Sequence, residues 1–347
     1  KNQWAYEEPS ESMLFILLLF QLASILPLSL FCPSECVCVS DGLASVSADI
    51  FQGLVNLTEL NLSKNQIAKL DANVFQGMTS LNDLNLSGNL LRKLPQTLFH
   101  NLVQLKSLIL YSNQLETLEN EIPPQLFWHL PSLLTLTLSN NQLQYLPAEK
   151  QLMGHMPRLQ ELYLYNTNLN TVPWNLFANM TGLRALNFHY NEKLSSLPRD
   201  LFCCQTNLQK LSLKYNNLQH LHPDQFSQLV SLKILLLNDN VLQSLSSRIF
   251  HNLPNLAKLE LSHNHLSYLP GDVFEGADSL QSVTLGHNRW DCVCNIMDFV
   301  EWIKKNQRVK KNMFHFESFP RIKSIFLIKA FIVFCCIHIF LWGFKIS

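Results

Sequence analysis

Few residues in this 347-residue chain have the types and spacing that chemistry needs. Three cysteines stand together in CPSECVC, at Cys32, Cys36 and Cys38, and two more, Cys292 and Cys294, stand in WDCVC. Thiols spaced in this way either close small disulfide loops in an oxidising compartment or hold a zinc ion. No histidine follows the first cluster until His100, which leaves zinc without its usual companion there. The nine cysteines gather towards the ends of the chain, apart from Cys203 and Cys204, and that placement suits disulfides. Cys203 and Cys204 are neighbours in sequence, and such neighbours seldom bond each other comfortably. They read as buried residues, with a free or intermolecular thiol as the other reading. His263 and His265 flank Asn264 and read as solvated turn residues. The chain contains no H-E-x-x-H, no glycine-rich phosphate loop and no G-x-S-x-G. No enzyme, cofactor or metal site is therefore expected. The chemistry left to consider is recognition by aromatic and basic side chains.

Those side chains are set in a repeat. In LQKLSLKYNNLQHLHPDQFSQLVS the apolar residues Leu208, Leu211 and Leu213 precede Asn216, then Leu218, Leu221 and Phe226. The next 24 residues repeat the spacing with Leu232, Leu235, Leu237, Asn240, Leu242, Leu245 and Phe250. The pattern L-x-x-L-x-L-x-x-N-x-L is the signature of a leucine-rich repeat. Full repeats start at Leu57, Leu81, Leu105, Leu133, Leu159, Leu183, Leu208, Leu232 and Leu256, and one more strand starts at Leu280. Two repeats carry insertions, around 119–124 and 149–153, and the repeat from Leu183 has one extra residue before Leu194. The expected fold is an α/β solenoid, a leucine-rich-repeat horseshoe with a parallel concave sheet. It would have a cysteine-rich N-terminal cap and a partial C-terminal one. The solenoid overrides the two-domain prior for this length, because stacked repeats grow in one dimension.

Each column of the repeat has a physical task. The paired strand leucines face the core. Asn65, Asn89, Asn113, Asn141, Asn191, Asn216, Asn240, Asn264 and Asn288 should form a buried amide ladder, broken once at Thr167. A late Phe column, from Phe51 to Phe274, should close the core from the other side. The positions between the leucines face outward and are free to differ. There Ile109, Tyr111, Tyr163, Tyr165, His189, Tyr190, Tyr215 and Leu236 suggest one partner-binding patch on the concave face, bordered by Arg184, Lys210, Lys214 and Lys233. Exposed tyrosines beside basic residues are typical of binding hot spots. The competing reading is strand positions filled by residues of good β-propensity.

The rest of the chain suggests an extracellular setting. Residues 1–12 read as an upstream extension and 13–31 as a secretory signal peptide. Residues 32–56 read as a cysteine cap and half repeat, 57–288 as repeats, and 289–306 as the start of a C-terminal cap. A divergent apolar and basic tail, 307–347, contains a possible membrane segment at 325–344. Lys329 within that segment and the basic residues before it oppose an anchor. Asn56, Asn61, Asn85 and Asn179 lie in N-x-S/T sequons, the acceptors of N-linked glycans. Formal net charge is zero, and nothing in it suggests a nucleic-acid partner.

The caps, the 24-residue period and the L-P-x-x-x-F tails resemble the extracellular leucine-rich-repeat family over roughly Cys32 to Asn306. LGHNRWDCVC and the segment from Glu161 to Phe202 are most similar to its platelet-glycoprotein branch, and next to its carboxypeptidase-subunit branch. The resemblance implies a Cys32–Cys38 disulfide, further disulfides at Cys292 and Cys294, and non-enzymatic work through an extracellular protein ligand or co-receptor. The first branch implies adhesion or receptor-complex assembly, in a secreted or cell-surface protein. The second implies a secreted carrier that stabilises a circulating enzyme such as a carboxypeptidase.

Overall fold

The computed structural model describes residues 35–37, 43–116, 126–146, 156–290 and 302. Those residues fall into two compact units, one reaching Gln142 and including Met156, the other including 143–146 and running on from Pro157. Both are turns of a parallel β-solenoid built from leucine-rich repeats.

In the first unit the sheet strands are β1 (Glu35–Val37), β3 (Glu59–Asn61), β5 (Asp83–Asn85), β6 (Ser107–Ile109) and β7 (Thr135–Thr137), paired in that order. Two further short strands, β2 (Ser45–Val46) and β4 (Lys69–Leu70), pair on their own. The second unit contains β8 (Glu161–Tyr163), β9 (Ala185–Asn187), β10 (Lys210–Ser212), β11 (Ile234–Leu236), β12 (Lys258–Glu260) and β13 (Ser282–Thr284). Every pairing within each unit is parallel and in register, so Leu186, Leu211, Leu235 and Leu259 stand side by side. Strand alternation then explains the leucine pairs. Leu211 and Leu213 are completely buried, as are their equivalents in each repeat. Each such side chain contributes about 1.5–3 kcal/mol relative to exposure.

The expected amide ladder is present and is made of specific bonds. Asn240 Nδ2 donates to Leu213 O of the preceding repeat (2.9 Å) and to Leu237 O of its own (3.0 Å). Its Oδ1 accepts from Leu218 N (3.1 Å). One side chain thus satisfies backbone groups on two rungs that water cannot reach. Asn89, Asn113 and Asn264 do the same. Where the ladder breaks, the Thr167 hydroxyl donates to Asn191 Oδ1. The extra residue before Leu194 changes one bond. Asn216 Oδ1 accepts from Asn191 N (2.7 Å), 25 residues earlier, where a 24-residue repeat uses the N–H 22 residues earlier.

On the opposite side each repeat is a series of tight turns. Pro95, Pro173, Pro198 and Pro270 open them, with the N–H three residues on donating to the proline carbonyl at 3.1–3.2 Å. The phenylalanine column follows. Phe51, Phe75, Phe99 and Phe127 stack at 6.2–6.5 Å in the first unit. Phe177, Phe202 and Phe226 stack at 6.1–6.2 Å in the second. Phe274 stacks on Phe250 at 5.9 Å and meets the Trp302 ring at 4.5 Å.

Cys203 and Cys204 sit in one of these turns and are half-buried, not core residues as expected. The buried positions beside them are already taken by Phe202 and Gln205. Both are free thiols, with Sγ atoms 2.6 Å apart. Burial and then the neighbouring Cys204 push the Cys203 thiol up to about 11.

Cys32, Cys38, Cys292 and Cys294 lie outside the described residues, as do the signal segment, both insertions and the apolar stretch at 325–344. Among the described residues no helix is long and apolar enough to cross a membrane. None of them forms a group of three or more side chains able to hold a metal ion.

Candidate protein-binding site

The second unit brings a set of aromatic residues together at one edge of its sheet. The backbone decides where they stand. Directly after each strand the chain must turn out of the sheet towards the ladder asparagine, and it does so through one residue of left-handed backbone. In the first unit these are Lys64, Gly88, Ser112 and Asn140. In the second they are Asn166, Tyr190, Tyr215, Asp239, His263 and His287, with φ between 51° and 56°. Asn and Gly adopt this region readily; a bulky aromatic residue does not. Tyr190 and Tyr215 are therefore held there by their surroundings. Their N–H groups donate to Lys214 O and Asn238 O, each at 3.1 Å.

Their rings form a continuous surface. Tyr190 and Tyr215 stack nearly parallel at 4.3 Å, and both rings are exposed. Edge contact at 5.5 Å joins Tyr190 to His189, which stacks on Tyr165 at 4.6 Å with an interplanar angle of 3°. Lys214 Nζ lies 5.6 Å from the Tyr215 centroid, a cation–π distance. Further along the same edge His263 stacks on His287 at 4.1 Å, and His263 Nδ1 lies 4.0 Å from Asp239.

Electrostatics favour neutral rings. Burial, then Lys214 and Lys210, lower His189 to about 4, so its imidazole is uncharged at neutral pH. Burial, then its bond to Glu161, raises Tyr163 to about 12; the hydroxyl donates to Glu161 Oε2 at 2.8 Å. Asp239, and after it burial and Tyr190, raise Tyr215.

Tyr165, His189, Tyr190, Lys214 and Tyr215 thus form one cluster, with Lys210 on the same strand. Tyr163 is a half-buried neighbour pinned by Glu161. Arg184 and Lys233 occupy matching exposed positions just before β9 and β11, and Leu236 pairs with Ser212. Ile109 and Tyr111 belong to the first unit, where the Tyr111 hydroxyl accepts from Asn140 Nδ2 at 2.8 Å. Sequence reasoning missed Glu161, Asp239 and the histidine pair. The signal was available for the last two: aligning the position after each strand gives a column whose Gly88 marks it as left-handed.

The sequon asparagines differ in setting. Asn56 and Asn179 are exposed in turns. Asn61 and Asn85 stand on the sheet face with Oδ1 accepting from Ser63 N and Ser87 N, both at 3.0 Å.

The leucine-rich repeat family model matches residues 39–91, 84–143, 157–213, 190–242 and 231–289. No curated protein sequence matches the chain. Among solved structures, an octameric complex of Latrophilin 3, Unc5D and the leucine-rich-repeat region of FLRT2 contains a similar chain. That chain is 26% identical with a TM-score of 0.63, and the match covers 79% of this chain and 89% of that one. A leucine-rich-repeat protein of Leptospira interrogans is also 26% identical, with a TM-score of 0.56 and coverage of 78% and 75%. With family matches across most of its described repeats, the chain belongs to the leucine-rich repeat family.

Proposed function

We propose that this chain is an extracellular, non-enzymatic binding protein of the adhesion or receptor-complex type. It docks a protein ligand or co-receptor on the exposed face of its sheet. The observation that carries this reading is the run of stacked and exposed aromatic rings from Tyr165 to Tyr215, two of them held in left-handed backbone. A solenoid of this family is typically an interaction scaffold, and the similar FLRT2 chain is solved within a multi-protein complex. The likeness of the Glu161–Phe202 segment to platelet glycoprotein V points the same way. Arg184, Lys233 and Leu236 border that run, and Ile109 and Tyr111 are binding residues of the first unit in the same reading. Secretion through the 13–31 segment, disulfides at Cys32, Cys38, Cys292 and Cys294, and glycans on Asn56, Asn61, Asn85 and Asn179 complete the reading. Glycans on Asn61 and Asn85 would direct partners away from the first strands.

The test is capture on an array of cell-surface ectodomains, using the secreted chain and its Tyr163→Ala/Tyr165→Ala/Tyr190→Ala variant. A partner lost by the variant, with its thermal unfolding unchanged, supports the reading. Unchanged capture overturns it.

A second reading is a secreted stabilising subunit of a circulating enzyme such as a carboxypeptidase. The similarity of the same segment to the regulatory subunit of carboxypeptidase N favours it. Co-purification from plasma with a peptidase, unaffected by the tyrosine substitutions, would select this reading.

A further inference from the structure

We infer that β10 and its neighbours form a subsite for the carboxylate of an acidic peptide segment, at the foot of the aromatic cluster. This rests on the docking reading and adds to it the chemistry of the partner.

The first observation is a group of buried polar atoms with nothing to bind. His189 Nδ1, Ser212 Oγ and Asn238 Oδ1 are all buried without a hydrogen-bond partner. Ser212 is 1% exposed and Asn238 9%. They lie together by register. Ser212 pairs with Asn187 on one side and Leu236 on the other. His189, Lys214 and Asn238 each stand two residues further along, so they lie abreast with Lys214 in the middle. Ser212 is one side chain below Lys214 on the same face, and Lys210 the next below that. This small hydroxyl is covered between two lysines, and becomes the floor of a recess once their stems part. Native proteins seldom bury unsatisfied polar groups, and three in adjoining positions ask for an external partner.

The second observation is uncompensated positive charge. Lys258, on β12 two strands from Lys210, is paired with Glu260 at 2.6 Å. Among the described residues neither Lys210 nor Lys214 has a carboxylate partner. Burial, and after it the field of Lys214 and Lys210, lowers the neighbouring His189 imidazole. The positive region is also short. Glu161 bounds it on one side, and Asp239 and Glu260 on the other. A long polyanion such as a sulfated glycan would meet those carboxylates, whereas one or two acidic side chains would not.

The donors and acceptors fit a peptide. A carboxylate would accept from the Lys210 and Lys214 ammoniums and from the Ser212 hydroxyl. The flexible lysine stems part over Ser212 as their heads turn to the ligand. Asn238 Nδ2 already donates to Asp239 Oδ2 at 2.7 Å. Its free Oδ1 is therefore an acceptor, suited to a peptide N–H and unsuited to a second anion. The Tyr190–Tyr215 stack beside the recess takes the apolar side chain next to the acid.

The test is selection of a phage-displayed random 12-residue peptide library on the immobilised full chain, followed by titration of synthetic winners. The expected winners carry Asp or Glu, and bind at least about tenfold more weakly when that residue becomes Asn or Gln. They show a similar loss on Lys214→Gln or Lys210→Gln, a smaller loss on Ser212→Ala, and recovery with Lys214→Arg. Winners without an acidic residue, winners indifferent to Lys214→Gln, or no winners above the Lys210→Gln/Lys214→Gln background overturn the subsite. If Tyr190→Ala still abolishes binding of such winners, the docking reading stands without it. If Tyr190→Ala leaves their binding intact, both fall. A heparin hexasaccharide that binds more tightly than every peptide, and is lost on Lys214→Gln, makes the ligand a sulfated glycan and also overturns the proposal.

Discussion

Replacing Tyr190 by asparagine separates architecture from purpose in this chain. Tyr190 has φ 54°, and asparagine occupies the equivalent places at 140 and 166 with φ 54° and 51°. A non-glycine residue in this region costs roughly 1–2 kcal/mol, and asparagine, whose short side chain bonds locally, is among the residues that visit it routinely. The substitution therefore removes a strain of about 1 kcal/mol. It also removes the stack on Tyr215, worth about 0.5–1.5 kcal/mol and less where the rings are exposed. The two effects nearly cancel, so stability should change by less than about 1 kcal/mol. Leu211→Ala, at a completely buried site, should by contrast cost about 2–5 kcal/mol. Urea unfolding followed by circular dichroism, at equal m-values, measures both. Ectodomain or peptide binding by Tyr190→Asn should fall sharply although the fold is intact. If Tyr190→Asn destabilises by more than about 2 kcal/mol, the ring is part of the architecture and its candidacy as a binding residue loses its physical basis.

Other outcomes follow from the same coordinates. Asn240→Leu leaves Leu218 N without an acceptor inside the core, while Leu213 O and Leu237 O keep Asn216 Nδ2 and Asn264 Nδ2, and should cost about 1–3 kcal/mol in urea unfolding for the one orphaned group. Gly182→Ala would press a Cβ against Pro157 O, a backbone atom that cannot swing aside, and should lower stability by about 1–3 kcal/mol in the same assay. His189 is lowered to about 4 when folded against 6.5 ordinarily, so between those values the unfolded chain binds the extra proton. Stability should fall as pH drops from 6.5 to about 4, and His189→Phe should flatten that decline in thermal melts taken across the range.

The solenoid was legible in the sequence because its demands are periodic. Leu211, Asn216 and Phe226 answer an environment that recurs every 24 residues and admits few other residue types. The tyrosine edge was half legible. Tyr165, His189 and Tyr215 could be read from aligned columns, since strand alternation decides which way the first two face and the turn after the strand places the third. The burial of Ser212 could not, because it depends on the residues on the neighbouring strands and along its own. Nor could the Tyr163–Glu161 bond, which competes with every other polar neighbour on the strand. The Cys203–Cys204 pair misled for a related reason. Its repeat already fills the core with Phe202 and a buried glutamine, which leaves the two cysteines half-buried.

The ring of Trp302 against Phe274 bears on how this molecule could come apart. Along the column Phe51, Phe75 and Phe99 each stack on the phenylalanine of the next rung, as do Phe177 and Phe202. Phe274 meets Phe250 at 5.9 Å and the Trp302 ring at 4.5 Å. A protease cut between residues 290 and 302 would leave the last repeat with an open flank. Each repeat holds chiefly its neighbour, so loss would travel inward rung by rung, like courses lifting from a wall without its coping. The histidine pair at 263 and 287 would loosen first, and the tyrosine edge several rungs further in would outlast it.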